Sequence, residues 1–354
     1  MDGLWRDLRH GFRMLTKSPT FTVVAVLSLT IGIGANTAIF SVIDAMLLSS
    51  LPVKKPEQLM FIRFPSHRTP EALTYGGYRN GISYPVFDDL EERTSAIAAV
   101  FGYAPMGYEK DQIEVRIDGR FSFAEADMVS GDFFSVLGVT PIAGRTIGPA
   151  DEASGSPPAA VISYGYWSRQ FSRSATALGK SVLLNGVSFT IVGVAPREFF
   201  GIEPGRTPDY WIPIVDHPAF CPWVSGVVRP FPIHDVNWWW MESVARLKPG
   251  VKLEIARAQI EDSIHRSMVA RLNPPPSADE FPVVVLEPLA SGLPRMQSQY
   301  AKPLYLSMAV VAMVLLIACA NIASLLMARA SARQKEVGIR LSMGASRSRL
   351  IRQL

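Results

Sequence analysis

Three short runs in this 354-residue chain carry the glycine, lysine and hydroxyl types that hold phosphates. Gly179-Lys180-Ser181 has the ending of a phosphate loop, in which backbone amides and a lysine cradle a nucleotide. That loop also needs a glycine five residues before Gly179, and Ser174 stands there. From Gly138 to Thr146 the pattern is one residue too long and has Arg145 in place of lysine. Gly32, Gly34 and Thr37 imitate a dinucleotide fingerprint, but no strand precedes them as that fingerprint requires. Asp88, Asp89, Glu91 and Glu92 crowd one predicted helix, where clustered carboxylates read as a solvated face. His217, Cys221, His234 and Asp235 are metal-ligand types in a Pro- and Gly-rich stretch, at spacings that match no standard site. Neither Gly-x-Ser-x-Gly nor His-Glu-x-x-His occurs. These residues point to no enzyme and to no cofactor or metal of the chain's own.

Two uncharged windows, 18–43 and 303–328, flank nearly everything else. Each exceeds the roughly 20 apolar residues that a spanning helix needs. Arg6, Arg9, Arg13 and Lys17 precede the first, and Arg329, Arg333, Lys335, Arg340, Arg347, Arg349 and Arg352 follow the second. Basic residues collect at cytoplasmic ends of spans, so both termini are predicted to be cytoplasmic and the intervening loop extracytoplasmic. The limits predicted are a cytoplasmic segment 1–17, a span 18–48, an exported region 49–302, a span 303–328 and a cytoplasmic segment 329–354.

The formal charge of +4 divides by compartment. The two ends hold eleven basic and three acidic residues, which leaves 24 basic against 28 acidic between them. The basic excess therefore follows topology and attraction to a lipid bilayer, and nucleic acid is not a partner. The membrane separates Cys221 from Cys319, so no disulfide joins them and a hydrophobic core must hold the exported region. Gly34 and Ala38 share a face of the first span, and Ala320, Asn321 and Ser324 lie in the second. Small and amide side chains so placed favour packing against further membrane helices.

The exported region alternates short strands and helices. Strands are predicted at 59–64, 112–118, 159–163, 182–184, 188–194, 241–247 and 281–287 from their β-branched and aromatic content. Asn185-Gly186 is a hairpin turn, because both positions need positive φ. Helices are predicted at 84–93, 132–137, 164–171 and 253–272. In the last, Ala256, Ile260, Ile264, Met268 and Leu272 form a stripe that Leu253 and Val269 widen. Of Trp238, Trp239 and Trp240, one or two are expected in the core. The fold class is α+β, an extracytoplasmic domain of two subdomains between two transmembrane helices. Residues 51–115 with 237–300 form the membrane-proximal part and 116–236 the distal one.

Several segments resemble one family. LSLTIGIGANTAIFSVIDAMLLSSL (27–51) is similar to the first span of macrolide-exporter-type, MacB-like ABC transporter permeases, nearest to the duplicated acidobacterial kind. VSGDFFSVLGVTPIAGR (129–145), AVISYGYWSRQF (160–171), FTIVGVAPREFFG (189–201) and ARLKPGV (245–251) resemble the periplasmic core domain of that family. Residues 315–354 resemble the start of its FtsX-like permease domain. The resemblance implies a permease of the bacterial inner membrane with no ATPase site of its own. ATP would be bound by a cytoplasmic ABC ATPase subunit, and its hydrolysis passed across the membrane as motion for export or efflux. It implies that Glu336, Val337, Gly338, Arg340, Leu341, Gly344, Ala345 and Ser346 form the contact with that ATPase. Gly344 could end one short helix and Ser346 start the next. Family members continue through at least two more spans, so other permease spans or a second permease copy are expected partners, and the chain reads as an N-terminal portion. A two-span sensor or scaffold with a ligand-binding domain, and a lipoprotein-release permease, are the alternatives.

Overall fold

The computed structural model describes residues 19–44, 50–64, 81–106, 113–153, 155–215, 233–236, 239–277 and 280–342. The chain divides into two compact units, Leu48–Met296 on one hand and Met1–Leu47 with Gln297–Leu354 on the other.

The twelve described strands of the first unit form one sheet: β1 Leu59–Arg63, β2 Ile97–Met106, β3 Ile113–Ile117, β4 Arg120–Ala124, β5 Ala126–Val129, β6 Ala143–Gly144, β7 Ala159–Ile162, β8 Ser181–Leu184, β9 Val187–Val194, β10 Tyr210–Pro213, β11 Glu242–Leu247 and β12 Val285–Pro288. Their order is β12-β1-β11-β2-β5-β10-β7-β9-β8-β3-β4, with β6 paired to β9. The first four come from the two ends of the unit's sequence and the other seven from its middle. The two groups of strands meet where β2 pairs antiparallel with β5. β3, which the sequence boundary at 115/116 cuts, lies wholly at the far end.

Alternation along the strands gives the sheet two buried faces. Val100, Ala104 and Met106 of β2 belong to one core with Val86 and Leu90 of α2 (Tyr84–Arg93), Tyr166 of α4 (Tyr164–Phe171) and Ile260, Ile264 and Met268 of α5 (Leu253–Arg271). Phe101 and Tyr103 point the other way, into a core with Phe133, Phe134 and Leu137 of α3 (Phe133–Leu137) and with Phe199 and Trp211. Burying each such side chain contributes about 1.5–3 kcal/mol. Leu51 N donates to Ala290 O at 2.8 Å, so the chain's arrival in the unit and its departure lie side by side.

Local chemistry explains several elements. Asn185 and Gly186 have φ of 46° and 82°, as the predicted hairpin demands. Ser163 caps α4, its Oγ accepting from Tyr166 N. Trp239 and Trp240 are both buried. On α5 the predicted stripe is displaced: Ala256, Ile260, Ile264 and Met268 are buried, but Leu253 and Val269 are exposed. Ser263 and Ser267 widen the face instead, because Asp89 offers them acceptors, with Ser267 Oγ at 2.5 Å from its Oδ2. The solvated carboxylate face is corrected at the same place. Asp88 is exposed, but Asp89 is buried and takes two hydrogen bonds from Arg271, at 3.0 and 3.1 Å. Strands β2, β4, β5, β6 and β10 were not predicted.

The second unit holds the described helix α1 (Pro19–Ile43) and, from Gln297 onward, the described helix α6 (Pro294–Ser342). Among the described residues one stretch, Lys302–Ser324 of α6, is long and apolar enough to cross a membrane, with mean hydropathy 2.4. Val26–Ser41 of α1 is apolar but shorter.

Candidate functional site

The helices carry most of the residues singled out in the sequence. Gly34 has open space around it, and Ala38, Ala320, Asn321 and Ser324 are exposed. The two helices instead meet at Gly32, which is buried. A Cβ there would lie 2.8 Å from Leu315 Cδ1, so a larger residue would require the leucine side chain to shift. Ala318, one turn further along α6, is also buried. Glu336, Val337, Gly338, Arg340 and Leu341 lie on α6, as its continuation beyond the apolar stretch and not as a separate short helix. Gly344, Ala345 and Ser346 lie outside the described residues, as do His217, Cys221 and Trp238.

The apparent phosphate motifs serve the fold. Lys180 Nζ pairs with Asp118 at 2.5 Å and sits over the Phe171 ring. Gly138 ends α3 with φ of 70°, the left-handed conformation favoured after a helix. Arg145 binds both carboxylate oxygens of Asp151, at 2.6 and 2.8 Å. His234 packs its ring on Tyr84. Among the described residues no three His, Cys, Asp or Glu side chains gather as a metal would require.

The densest buried polar site was not legible in the sequence. Arg206, with 9% of its side chain exposed, lies where β2 meets β5. Its Nη1 is 2.6 Å from Asp127 Oδ1 and 3.5 Å from Glu203 Oε2, and its Nε is 2.9 Å from Glu125 Oε2. Nη2 donates to Met106 O of β2 at 3.2 Å and to Ala126 O of β5 at 3.4 Å. Asp127 and Glu203 are buried. Burial pushes the Asp127 carboxyl up to about 7. Arg206 opposes the shift, and Glu203 and Glu125 add to it. Burial pulls the Arg206 guanidinium down, but Asp127, Tyr103 and Glu203 hold it above its ordinary value. Chemically the arrangement can store or release a proton and can clamp two strands. The only sequence signal was Arg206 itself, a basic residue in a Pro- and Gly-rich stretch with no charged neighbour closer than Glu203 and Asp209.

A model of the MacB-like periplasmic core domain matches residues 22–263. No curated protein matches the chain. Three solved structures are similar to it. The periplasmic region of MacB from Actinobacillus actinomycetemcomitans shares 11% identity over 69% of this chain and 92% of that one, with a TM-score of 0.45. The extracellular domain of the noncanonic ABC-type transporter YknZ from Gram-positive bacteria shares 13% over 64% and 99%, at 0.43. A domain of a putative permease protein from Porphyromonas gingivalis shares 16% over 70% and 97%, at 0.45.

Proposed function

This chain belongs to the MacB-like periplasmic core domain family, and from that premise we propose that it works as a permease of an ABC transporter, relaying motion from a cytoplasmic ATPase subunit to its extracytoplasmic domain for export. The Leu48–Met296 unit is the mixed α/β extracytoplasmic domain of that family. On this reading the chain lies in a bacterial inner membrane with both termini in the cytoplasm. ATP is bound and split by the partner subunit, and other permease spans or a second copy complete the translocation path.

The observation that carries the reading is the continuity of α6. From Pro294 it runs through the apolar stretch Lys302–Ser324 to Ser342, about 74 Å at 1.5 Å per residue. A displacement applied near Glu336–Leu341 would travel along a hydrogen-bonded rod. Pro303 lies within the rod, where its ring removes one backbone donor and gives a place to bend.

A photo-crosslinking residue at Arg340, in membranes holding the chain and its cognate ATP-binding subunit, tests this reading. Adducts with that subunit are expected from position 340 and not from Leu306 within the apolar stretch. Lipid adducts alone at position 340 would overturn the ATPase contact.

A further inference from the structure

The Arg206 cluster lies at the one ladder that joins the two ends of the sheet. There Tyr103, Ala104, Pro105 and Met106 pair with Val129, Met128, Asp127 and Ala126. The Ser130 N–H bond to Gly102 O makes 104/128 and 106/126 the hydrogen-bonded pairs of this ladder, so Pro105 opposite Asp127 costs it no donor. Arg206 adds bonds at this point, since one nitrogen reaches a carbonyl on each strand. The same guanidinium is shared by Asp127, Glu203 and Glu125.

We propose that this cluster is a proton-operated latch: one proton taken from solvent onto Asp127 tightens the β2–β5 seam, and its release loosens the seam. Asp127 is buried and lies against Glu203 and Glu125 as well as Arg206, so its own negative charge is disfavoured both by burial and by like charge. A proton on Asp127 removes one charge while Glu203 and Glu125 still hold the guanidinium. The groups that face Asp127 are Arg206 and Glu203 from the turn before β10 and Glu125 from the residue ahead of β5. Tyr103 of β2 lies 3.4 Å from Arg206 Nη1. Glu242 of β11 is buried opposite Tyr103 in the register. Asp209 is held by Arg169 and by the Glu125 amide. Glu125, with 39% of its side chain exposed, connects the cluster to solvent.

The sign follows from the direction of the shift. Asp127 is held above its unfolded value, so its contribution to stability is complete below that value and is lost as pH rises through about 7. The latch is therefore closed in acid and open on the alkaline side of neutrality.

Amide hydrogen exchange on the full chain in detergent, followed on peptides covering 101–106 and 125–130 from pH 5 to 8.5, tests this. Rates are corrected for the intrinsic pH dependence of exchange. Wild-type protection should fall by up to about tenfold per pH unit, the limit for one proton, and level off above about 7. Asp127→Asn should abolish the fall. Glu203→Gln should move the levelling point to lower pH, because it removes a charge that disfavours ionisation. Flat or rising wild-type protection, or an unchanged slope in Asp127→Asn, would overturn the latch. Should the Asn variant not fold, an unmoved levelling point in Glu203→Gln would do so alone.

Discussion

The β2–β5 seam and the turn after β6 each hold an arginine 2.6 Å from an aspartate, and the two aspartates are driven in opposite directions. Arg206 meets Asp127 with 9% and 1% of the side chains exposed, whereas Arg145 meets Asp151 with 57% and 7%. In both sites burial is the largest influence and raises the carboxyl. At Asp151 it is overcome by two hydrogen bonds from Arg145, one from the Gly148 amide and the attraction of the guanidinium, so the carboxyl ends below its ordinary value. At Asp127 the arginine is shared with Glu203 and Glu125, and the carboxyl ends near neutrality. The contact distance is the same. What differs is how many acids divide one cation, and how much water remains to help.

The comparison breaks most readily at Arg206. Arg206→Met leaves Asp127 and Glu203 buried with their shared cation gone and removes the carbonyl bonds to both strands. Losing one partner of a buried ion pair costs about 3–5 kcal/mol. Urea unfolding of the full chain in detergent, followed by the fluorescence of buried Trp211, Trp239 and Trp240, should show that loss at pH 8. The deficit should shrink toward pH 5 as the stranded acids take up protons. A loss below 1 kcal/mol at pH 8 would mean that the cluster is not held by this cation.

Arg145→Met should cost less, about 1–2 kcal/mol at pH 7, the range for hydrogen bonds to a charged group reduced by Arg145's exposure. Here the pH dependence differs from that of Asp127. Asp151 is held below its unfolded value, so its contribution is present above that value and lost as pH falls through the folded one. Variant and wild type should therefore converge only in strong acid, below the ordinary aspartate range. Convergence already near pH 6 would place Asp151 with Asp127 and erase the distinction.

Much of the fold was legible because it depends on local chemistry. α2 begins at Tyr84-Pro85 and α4 at a capping serine, and both match their predicted bounds. The Asn-Gly turn fixes the β8–β9 hairpin from two residues. β2 was missed because Ile97–Met106 mixes Ala, Gly and Pro among its apolar residues, and only pairing on both sides makes it a strand. β5 and β10 hold four residues each, too few to show a period, yet they lie mid-sheet. The Arg206 cluster was invisible for a related reason. Arg206 lies 81 positions from Glu125 and 79 from Asp127, so nothing short of the parallel β5–β10 pairing brings them together. Asp89 was misread because its helix shows four acids, and only Arg271 and Ser267 of α5, 182 and 178 positions away, mark it as the buried one. The ATPase-contact residues came from family resemblance, and the described helix adds to them only that five share its last turns.

The finest resolution of the comparison comes from a third pair at the same distance, Arg169 Nη2 and Asp209 Oδ1 at 2.6 Å. Arg169 is 63% exposed and Asp209 16%. Burial raises the Asp209 carboxyl, while the Glu125 amide and Arg169 pull it down without reversing the shift. Asp209 would keep its amide partner if the arginine were lost, because Glu125 N donates to Oδ2 at 3.3 Å. Arg169→Gln should therefore cost only about 0.5 kcal/mol, in the range of exposed ion pairs. The cost should decline further when salt is raised to about 1 M, where charges more than about 3 Å apart are screened. Without Arg169 the carboxyl should rise further, so the deficit should grow as pH increases through the acid range and Asp209 ionises. A salt-insensitive loss as large as that of Arg206→Met would show that the 2.6 Å contact sets the energy by itself, and that the number of acids around each arginine does not matter.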